Sequence, residues 1–214
     1  MGDRLDSTTF YPLFLIVKGK RCVVVGGGEV ALRKARVLLK HGADVEVVSP
    51  ELRPEMLKMA SAGMIKASKR EFQPADLENA VIVIAATDKL AVNKRVAVEA
   101  QRRRVLVNVV DNPKLCDFIV PSIIYRGDLT IAISTGGKSP ALSRAIREKL
   151  EKLLAEEYDL LTTLIAEVRS EMKIKGRTAD KDKWQMALNL DDLIKLLKDG
   201  QRKEAKASLL KRLM

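Results

Sequence analysis

Aromatic residues make up only 4% of this 214-residue chain, with one tryptophan and three tyrosines. Single-strand nucleic-acid binders stack bases on such side chains, so that class is poorly supplied. There is one histidine, His41, and there are two cysteines, Cys22 and Cys116, far apart and without CxxC spacing. No zinc-finger or helix-turn-helix spacing is present, and no grouping of His, Cys and carboxylates has metal-ligand spacing. A protein-built metal site is therefore not expected. The cysteine pattern reads as free thiols in a reducing compartment. Long apolar runs are also missing: "FYPLFLIV", residues 10–17, is too short to span a bilayer. The opening "MGDRLDSTTF" has acidic residues where a signal peptide wants basic ones, and Asp6 breaks the myristoylation pattern. A cytoplasmic protein with no membrane and no nucleic-acid partner is expected.

Positive charge, by contrast, is plentiful. Lysine and arginine number 39 against 28 acidic residues, a net charge of +11. Such an excess favours an anionic partner, and a polyanionic metabolite stays open as that partner. Apolar content is 47%, enough to bury a core, and the length suits one large domain or one domain with a smaller appendage.

The first 110 or so residues alternate strand-like and helix-like segments. "RCVVVGGG" is a buried strand ending in glycines, and "EVALRKARVLLKHG" has helical spacing with a stop at Gly42. "ADVEVVSP", "AVIVIAAT" and "VLVNVV" are further strands, and a weaker one falls within residues 64–70. "ELRPEMLKMASAG" and "LAVNKRVAVEAQRR" are the intervening helices. Continuous apolar strands alternating with amphipathic helices predict an α/β fold, a Rossmann-like parallel sheet covered on both faces.

Gly26-Gly27-Gly28-Glu29-Val30-Ala31 fits G-x-G-x-x-A between a strand and a helix. In that context Gly26 allows the tight turn, Gly28 admits a pyrophosphate, and Ala31 lets helix pack on strand. The pyrophosphate then rests on the helix N-terminus. A glycine-rich turn without a ligand is the plainer alternative. Typical NAD sites hold the ribose with an acidic residue about 20 residues past the glycines. Ser49 stands there instead, with Glu51 close by, while Arg53 would suit a 2′-phosphate. These residues leave NAD against NADP open. Thr87 and Asp88, after the third clear strand, belong to a loop that usually lies over the cofactor.

His41 falls between the first helix and the second strand, at the sheet edge away from ligands, where it suits a helix C-terminal cation. Asp111 ends the last strand of the series, on the ligand side. It is either the first residue of an ordinary Asx-type turn in Asp-Asn-Pro, or a catalytic carboxylate beside the nicotinamide.

From Pro113 the pattern changes. "DFIVPSIIYRGDLTIAIST" predicts two strands around a tight Arg126-Gly127-Asp128 turn. Ser134, Thr135 and Lys138 precede a helix capped by Ser139 with Pro140 at its first position, a turn suited to carboxylates or phosphates. One helix is expected to run on through "AEEYDLLTTLIAEVRSEM", with Leu154, Tyr158, Leu161, Ile165 and Val168 on one stripe. "KIKGRTADKDK" reads as a polar break, followed by helices in "LDDLIKLLKDG" and "RKEAKASLLKRLM". A hairpin plus a long amphipathic helix cannot bury itself alone, so a homodimer is expected; a small monomeric helical domain is the alternative. The expected organisation is a dinucleotide-binding domain over residues 1–112, a dimerisation and substrate segment over 113–145, and a helical domain over 146–214.

The stretches "VVVGGGEVALRKARVLLKHGADVEVVSPEL", "IAATDKLAVN", "VNVVDNPKLCDFIVPSII" and "AISTGGKSPALSRAIREKLE" together resemble the precorrin-2 dehydrogenase family, which includes the dehydrogenase/ferrochelatase part of siroheme synthases. The resemblance runs in order from Tyr11 to Leu154. It implies oxidation of precorrin-2 to sirohydrochlorin with NAD as cofactor, in siroheme biosynthesis, by a dimer with interlocked central segments. It assigns catalysis to Asp111 and NAD contacts to the glycine turn, including Glu29 and Val30, and to Pro50 and Glu51. The family manages without an acidic residue at the place of Ser49, which favours NAD. Ferrochelatase activity is left undecided. A non-catalytic dinucleotide sensor and a dehydrogenase of another polycarboxylate are the competing functions.

Overall fold

A computed structural model of the chain describes residues 10–214. Residues 1–9, on which most of the signal-peptide and myristoylation reading rests, lie outside the described residues. The chain divides into two compact units, residues 1–120 and 121–214.

Unit one carries strands β1 (Arg21–Val25), β2 (Asp44–Val48), β3 (Lys66–Ser68), β4 (Ile82–Ala85) and β5 (Leu106–Val109). All are parallel and lie in the order β3-β2-β1-β4-β5. Helices α1 (Glu29–Lys40), α2 (Pro54–Ser61) and α3 (Leu90–Arg103) connect them. Alternation along each strand sends side chains to opposite faces. Cys22 and Val24 of β1 join Ala31, Leu32 and Ala35 of α1 on one face. Val23 and Val25 join Val96, Ala97 and Ala100 of α3 on the other. β1 is almost wholly buried, which explains its unbroken apolar run.

β5 is an edge strand, yet its outer backbone is not open. Residues 116–117 fold back along it. The Val107 amide donates to Asp117 Oδ2 at 3.1 Å, the Asp117 amide donates to the Val107 carbonyl at 2.8 Å, and the Val109 amide donates to Cys116 Sγ at 3.1 Å. This blunts the edge against pairing with another chain.

Unit two opens with a hairpin of β6 (Ser122–Arg126) and β7 (Leu129–Ile133), antiparallel, with Arg126 opposite Leu129. Helix α4 (Pro140–Leu153) follows, capped by Ser139, whose hydroxyl accepts from the Leu142 amide. The single long helix expected here is two helices. α4 stops, Leu154 is extended, and α5 (Tyr158–Ile174) starts afresh. No proline or glycine marks the break. The Arg126 guanidinium reaches over from the hairpin and donates to the carbonyls of Glu151 and Leu154, closing the end of α4. A further helix, α6 (Lys181–Ala187), starts at the end of the segment read as a polar break, begun by Asp180, whose carboxylate accepts from the Lys183 amide.

α7 (Leu190–Lys198) and α8 (Arg202–Leu213) complete the chain. Leu161, Leu164, Val168 and Met172 of α5 are buried with Leu193, Leu197, Leu209 and Leu213 of these helices. The α5 stripe that suggested a partner chain is therefore covered within its own chain. The hairpin and α4 remain less covered: Ile124 is the one fully buried residue of β6 and β7, and Leu142 is 51% and Leu153 72% exposed.

Candidate functional site

The strand order reverses at β1, whose neighbours β2 and β4 are followed by helices on opposite faces. In open parallel sheets this is where ligands bind, beyond the carboxyl ends of the strands. A cavity of ≈ 680 Å³ opens there, lined by residues 25–28, 48–53, 71–72, 86–89, Val92 and Arg95. It brings together Gly26, Gly28, Ser49, Pro50, Glu51, Thr87 and Asp88. Glu29 and Val30 follow directly, at the N-terminus of α1, but do not line it.

The three glycines serve different ends. Gly26 has φ +134°, and a Cβ there would stand 2.3 Å from the Ala86 carbonyl oxygen. Gly27, to which the motif assigns no role, is the tightest of the three. A Cβ would meet the Glu51 carbonyl oxygen at 1.7 Å, and the Gly27 carbonyl accepts from the Arg53 amide at 3.2 Å. Gly27 thus locks the end of β1 to the segment after β2. Gly28 faces open space, with nothing within 4 Å of where a Cβ would be. No side chain caps α1, so the amides of its first turn and the helix dipole are available to an anion. These features fit the pyrophosphate of a dinucleotide.

On the β4 side, sequence reasoning missed Asn93. It is 5% exposed, and its side chain wraps the loop before α3. Thr87 Oγ1 donates to Asn93 Oδ1 at 2.8 Å, and Asn93 Nδ2 donates to the Thr87 carbonyl at 2.9 Å. The Lys89 amide donates to Thr87 Oγ1 at 3.1 Å. Thr87 therefore holds the loop in shape. The available signal was an Asn in the first turn of a helix that has no Ser, Thr, Asp or Asn at its start.

Asp111 lies past the end of β5, on the same sheet edge as the glycine turn but outside the cavity lining. Three strand spacings separate the ends of β2 and β5, a span of about 14 Å. Asp111 is exposed with φ +58°, and the Asn112 amide donates to the Val109 carbonyl at 3.2 Å. It occupies a left-handed turn position, which Asp and Asn tolerate better than other non-glycine residues. Asp111 is thus a turn residue, third in the turn from Val109 to Asn112 and not the first residue of an Asx-type turn, and it is exposed. Burial pushes the Cys22 thiol up to about 11 and raises that of Cys116 as well, so neither is poised as a nucleophile. His41 follows α1 at the opposite edge of the sheet.

In unit two, Thr135 Oγ1 donates to the Ser139 carbonyl at 2.9 Å, accepts from the Ser139 amide at 3.0 Å and lies 3.2 Å from Ser143 Oγ. Ser134 Oγ accepts from the Gly136 amide at 3.0 Å. Both hydroxyls shape the turn before α4, while Lys138 is exposed at its tip. Among the described residues, no group of three or more His, Cys, Asp or Glu is placed to hold a metal, and no helix is long and apolar enough to cross a membrane.

Strand order, glycine turn and cavity define a Rossmann-type dinucleotide-binding protein. The NAD_binding_7 model of NAD(P)-binding domains matches residues 13–122, more than half of the chain, and the chain belongs to that family. A second model, for the central part of sirohaem biosynthesis proteins, matches residues 126–153. The siroheme synthase of Methylobacillus flagellatus is 47% identical over 167 residues, 78% of this chain and 36% of that protein. That of Nitrosococcus oceani is 39% identical over 202 residues, 94% of this chain and 43% of that protein. The chain thus spans well under half the length of these relatives. Among solved structures, the precorrin-2 dehydrogenase SirC matches with TM-score 0.70 and 28% identity, covering 95% of this chain and 98% of that one. The resemblance, expected only from Tyr11 to Leu154, extends over nearly the whole chain.

Proposed function

We propose that the protein oxidises precorrin-2 to sirohydrochlorin with NAD, a step of siroheme biosynthesis. The observation that carries this is the near end-to-end likeness to a precorrin-2 dehydrogenase, on a chain whose glycine turn opens onto a cavity suited to a dinucleotide. The reaction removes a hydride from one carbon of the macrocycle and a proton from a neighbour. Bound NAD supplies the hydride acceptor. Gly26 and Gly27 hold the turn, Gly28 and the first amides of α1 receive the pyrophosphate, and Ser49, Pro50 and Glu51 face the adenosine ribose. Thr87 and Asp88 shape the wall toward the nicotinamide, with Glu29 and Val30 at the helix start. Asp111, at the far end of the same edge, takes the proton or orients the ring. A positioned base of this kind contributes roughly 10²- to 10⁴-fold.

Precorrin-2 carries eight carboxylates, which suits a chain of net charge +11. Exposed Lys138 is a partner for one of them, with Ser134 and Thr135 setting its turn. The half-covered hairpin and α4 support a homodimer formed through this segment, and the two free cysteines support a cytoplasmic location. The test is incubation with precorrin-2 and NAD under exclusion of air. NADH and sirohydrochlorin should appear in equal amounts. NAD binding without turnover would instead indicate a dinucleotide sensor.

A further inference from the structure

Arg53 lines the cavity beside the residues that face the adenosine ribose, the place from which an arginine normally receives the 2′-phosphate of NADP. Here its guanidinium is already taken. Nη1 lies 3.3 Å from Glu29 Oε2, Nη2 lies 3.2 Å from Glu55 Oε1, and Nε donates to Glu55 Oε2 at 3.3 Å. Glu55 grips the fork from two sides, the geometry in which a carboxylate matches a guanidinium best. The backbone is tied as well, because the Arg53 amide donates to the Gly27 carbonyl. The side-chain hydrogen bond to Glu55 raises the Arg53 pKa and lowers that of Glu55, as expected of such a pair. Glu51 and Glu71 add two more carboxylates to the cavity wall.

We propose that Glu55, with Glu29, is a specificity determinant that excludes NADP by occupying the guanidinium of Arg53. The inference rests on the dinucleotide reading of the cavity and extends it to the choice between two cofactors. A 2′-phosphate carries close to two negative charges at neutral pH. To use Arg53 it would have to displace two carboxylates and then sit among others. The adenosine ribose of NAD carries a neutral hydroxyl there and meets no such penalty. Arg53, which by itself reads as a mark of NADP, becomes part of an NAD site once its partners are counted.

The test is titration calorimetry of the full chain with NAD and with NADP. The unaltered protein should prefer NAD. Glu55→Gln removes the charge while keeping the shape, and Glu55 is 42% exposed, so the fold should tolerate it. Loss of one charge-assisted fork should tighten NADP binding about tenfold and leave NAD within a factor of about three. Adding Arg53→Ala should cancel the gain. An unchanged ratio of the two affinities in Glu55→Gln would overturn the proposal. A gain that survives Arg53→Ala would do the same. An unaltered protein that binds neither cofactor would bring down the cavity reading itself, a result distinct from either.

Discussion

In β1 every side chain but Arg21 is buried, and each face of the strand meets a helix of the same chain. In the hairpin of unit two only Ile124 is fully buried, and α4 leaves Leu142, Ile146 and Leu153 exposed. The contrast is one of architecture. A parallel sheet is wound by its own crossover helices and closes itself. A two-stranded hairpin with one helix has too few layers to do so. The α5–α8 bundle completes a core of its own, whereas the hairpin and α4 keep apolar surface uncovered. The two glycine turns differ as well. Gly26 and Gly27 have backbone oxygens where a Cβ would be, whereas Gly136 and Gly137 have positive φ but open surroundings.

That last difference yields the largest expected effects. Gly27→Ala must push the end of β1 away from Glu51 and should cost at least about 3 kcal/mol, at the top of the overpacking range. NAD binding should be lost with it. Gly137→Ala should cost only about 1 kcal/mol, the penalty of the left-handed conformation. Gly28→Asp should fold normally yet fail to bind NAD, because its carboxylate would face the pyrophosphate. Urea unfolding and calorimetry read both quantities, and equal costs for Gly27→Ala and Gly137→Ala would break the comparison.

Next come the cores and the segment between them. Leu32→Ala and Leu164→Ala, each truncating a fully buried side chain, should cost about 2–5 kcal/mol apiece. Leu142→Ala, half exposed in the single chain, should stay within about 0.5 kcal/mol. Leu142→Asp with Ile146→Asp should convert the proposed dimer to a monomer that keeps its helix content. Sedimentation analysis that finds the same mass for both forms would remove this segment as the interface.

Smaller effects follow from charge. Asp76 is 4% exposed at the start of a short 3-10 turn in unit one. Burial alone would raise its pKa, but Arg70, bonded to both carboxylate oxygens, and the Gln73 amide outweigh that and hold it below the usual value of 3.8. Its contribution to stability is therefore complete above pH 4 or so and fades as pH falls through the lowered value. Asp76→Asn should flatten that acid limb. Glu171, on the surface of unit two, is held down to about 2 by Lys175 and Lys206. Its contribution should likewise be present above the ordinary glutamate range and be lost as pH falls toward 2. Because it is solvent-screened, Glu171→Gln should shift thermal stability less than Asp76→Asn, and the shift should vanish in high salt. Thermal melts across pH 2–6 at two salt concentrations separate the two.

The strands, α1–α3 and the hairpin were legible because their signals are local: period-two and period-3.6 patterns ended by Gly, Pro or Asn-Pro. The glycine turn was legible as a motif. The constraint on Gly27 was not, since it comes from Glu51, which only the parallel pairing of β1 with β2 brings close. Arg53 was visible as a cation but not as one held by Glu29 and Glu55. The break between α4 and α5 depends on Arg126 reaching over from the hairpin, a contact that no pattern within the helix foretells. α6 was overlooked because its charged surface outweighed the N-cap signal of Asp180.

The measurement that bears most directly on the proposed activity is turnover of Asp111→Asn with precorrin-2 and NAD. Asparagine tolerates the left-handed turn at this position and keeps the side-chain shape, so the variant should fold, associate and bind NAD as the unaltered protein does. It loses the charge and basicity. Formation of NADH and sirohydrochlorin should slow at least about 10²-fold, the lower bound for a lost general base. Near-normal turnover would contradict the account, reduce Asp111 to a turn residue and move the search for the catalytic group elsewhere.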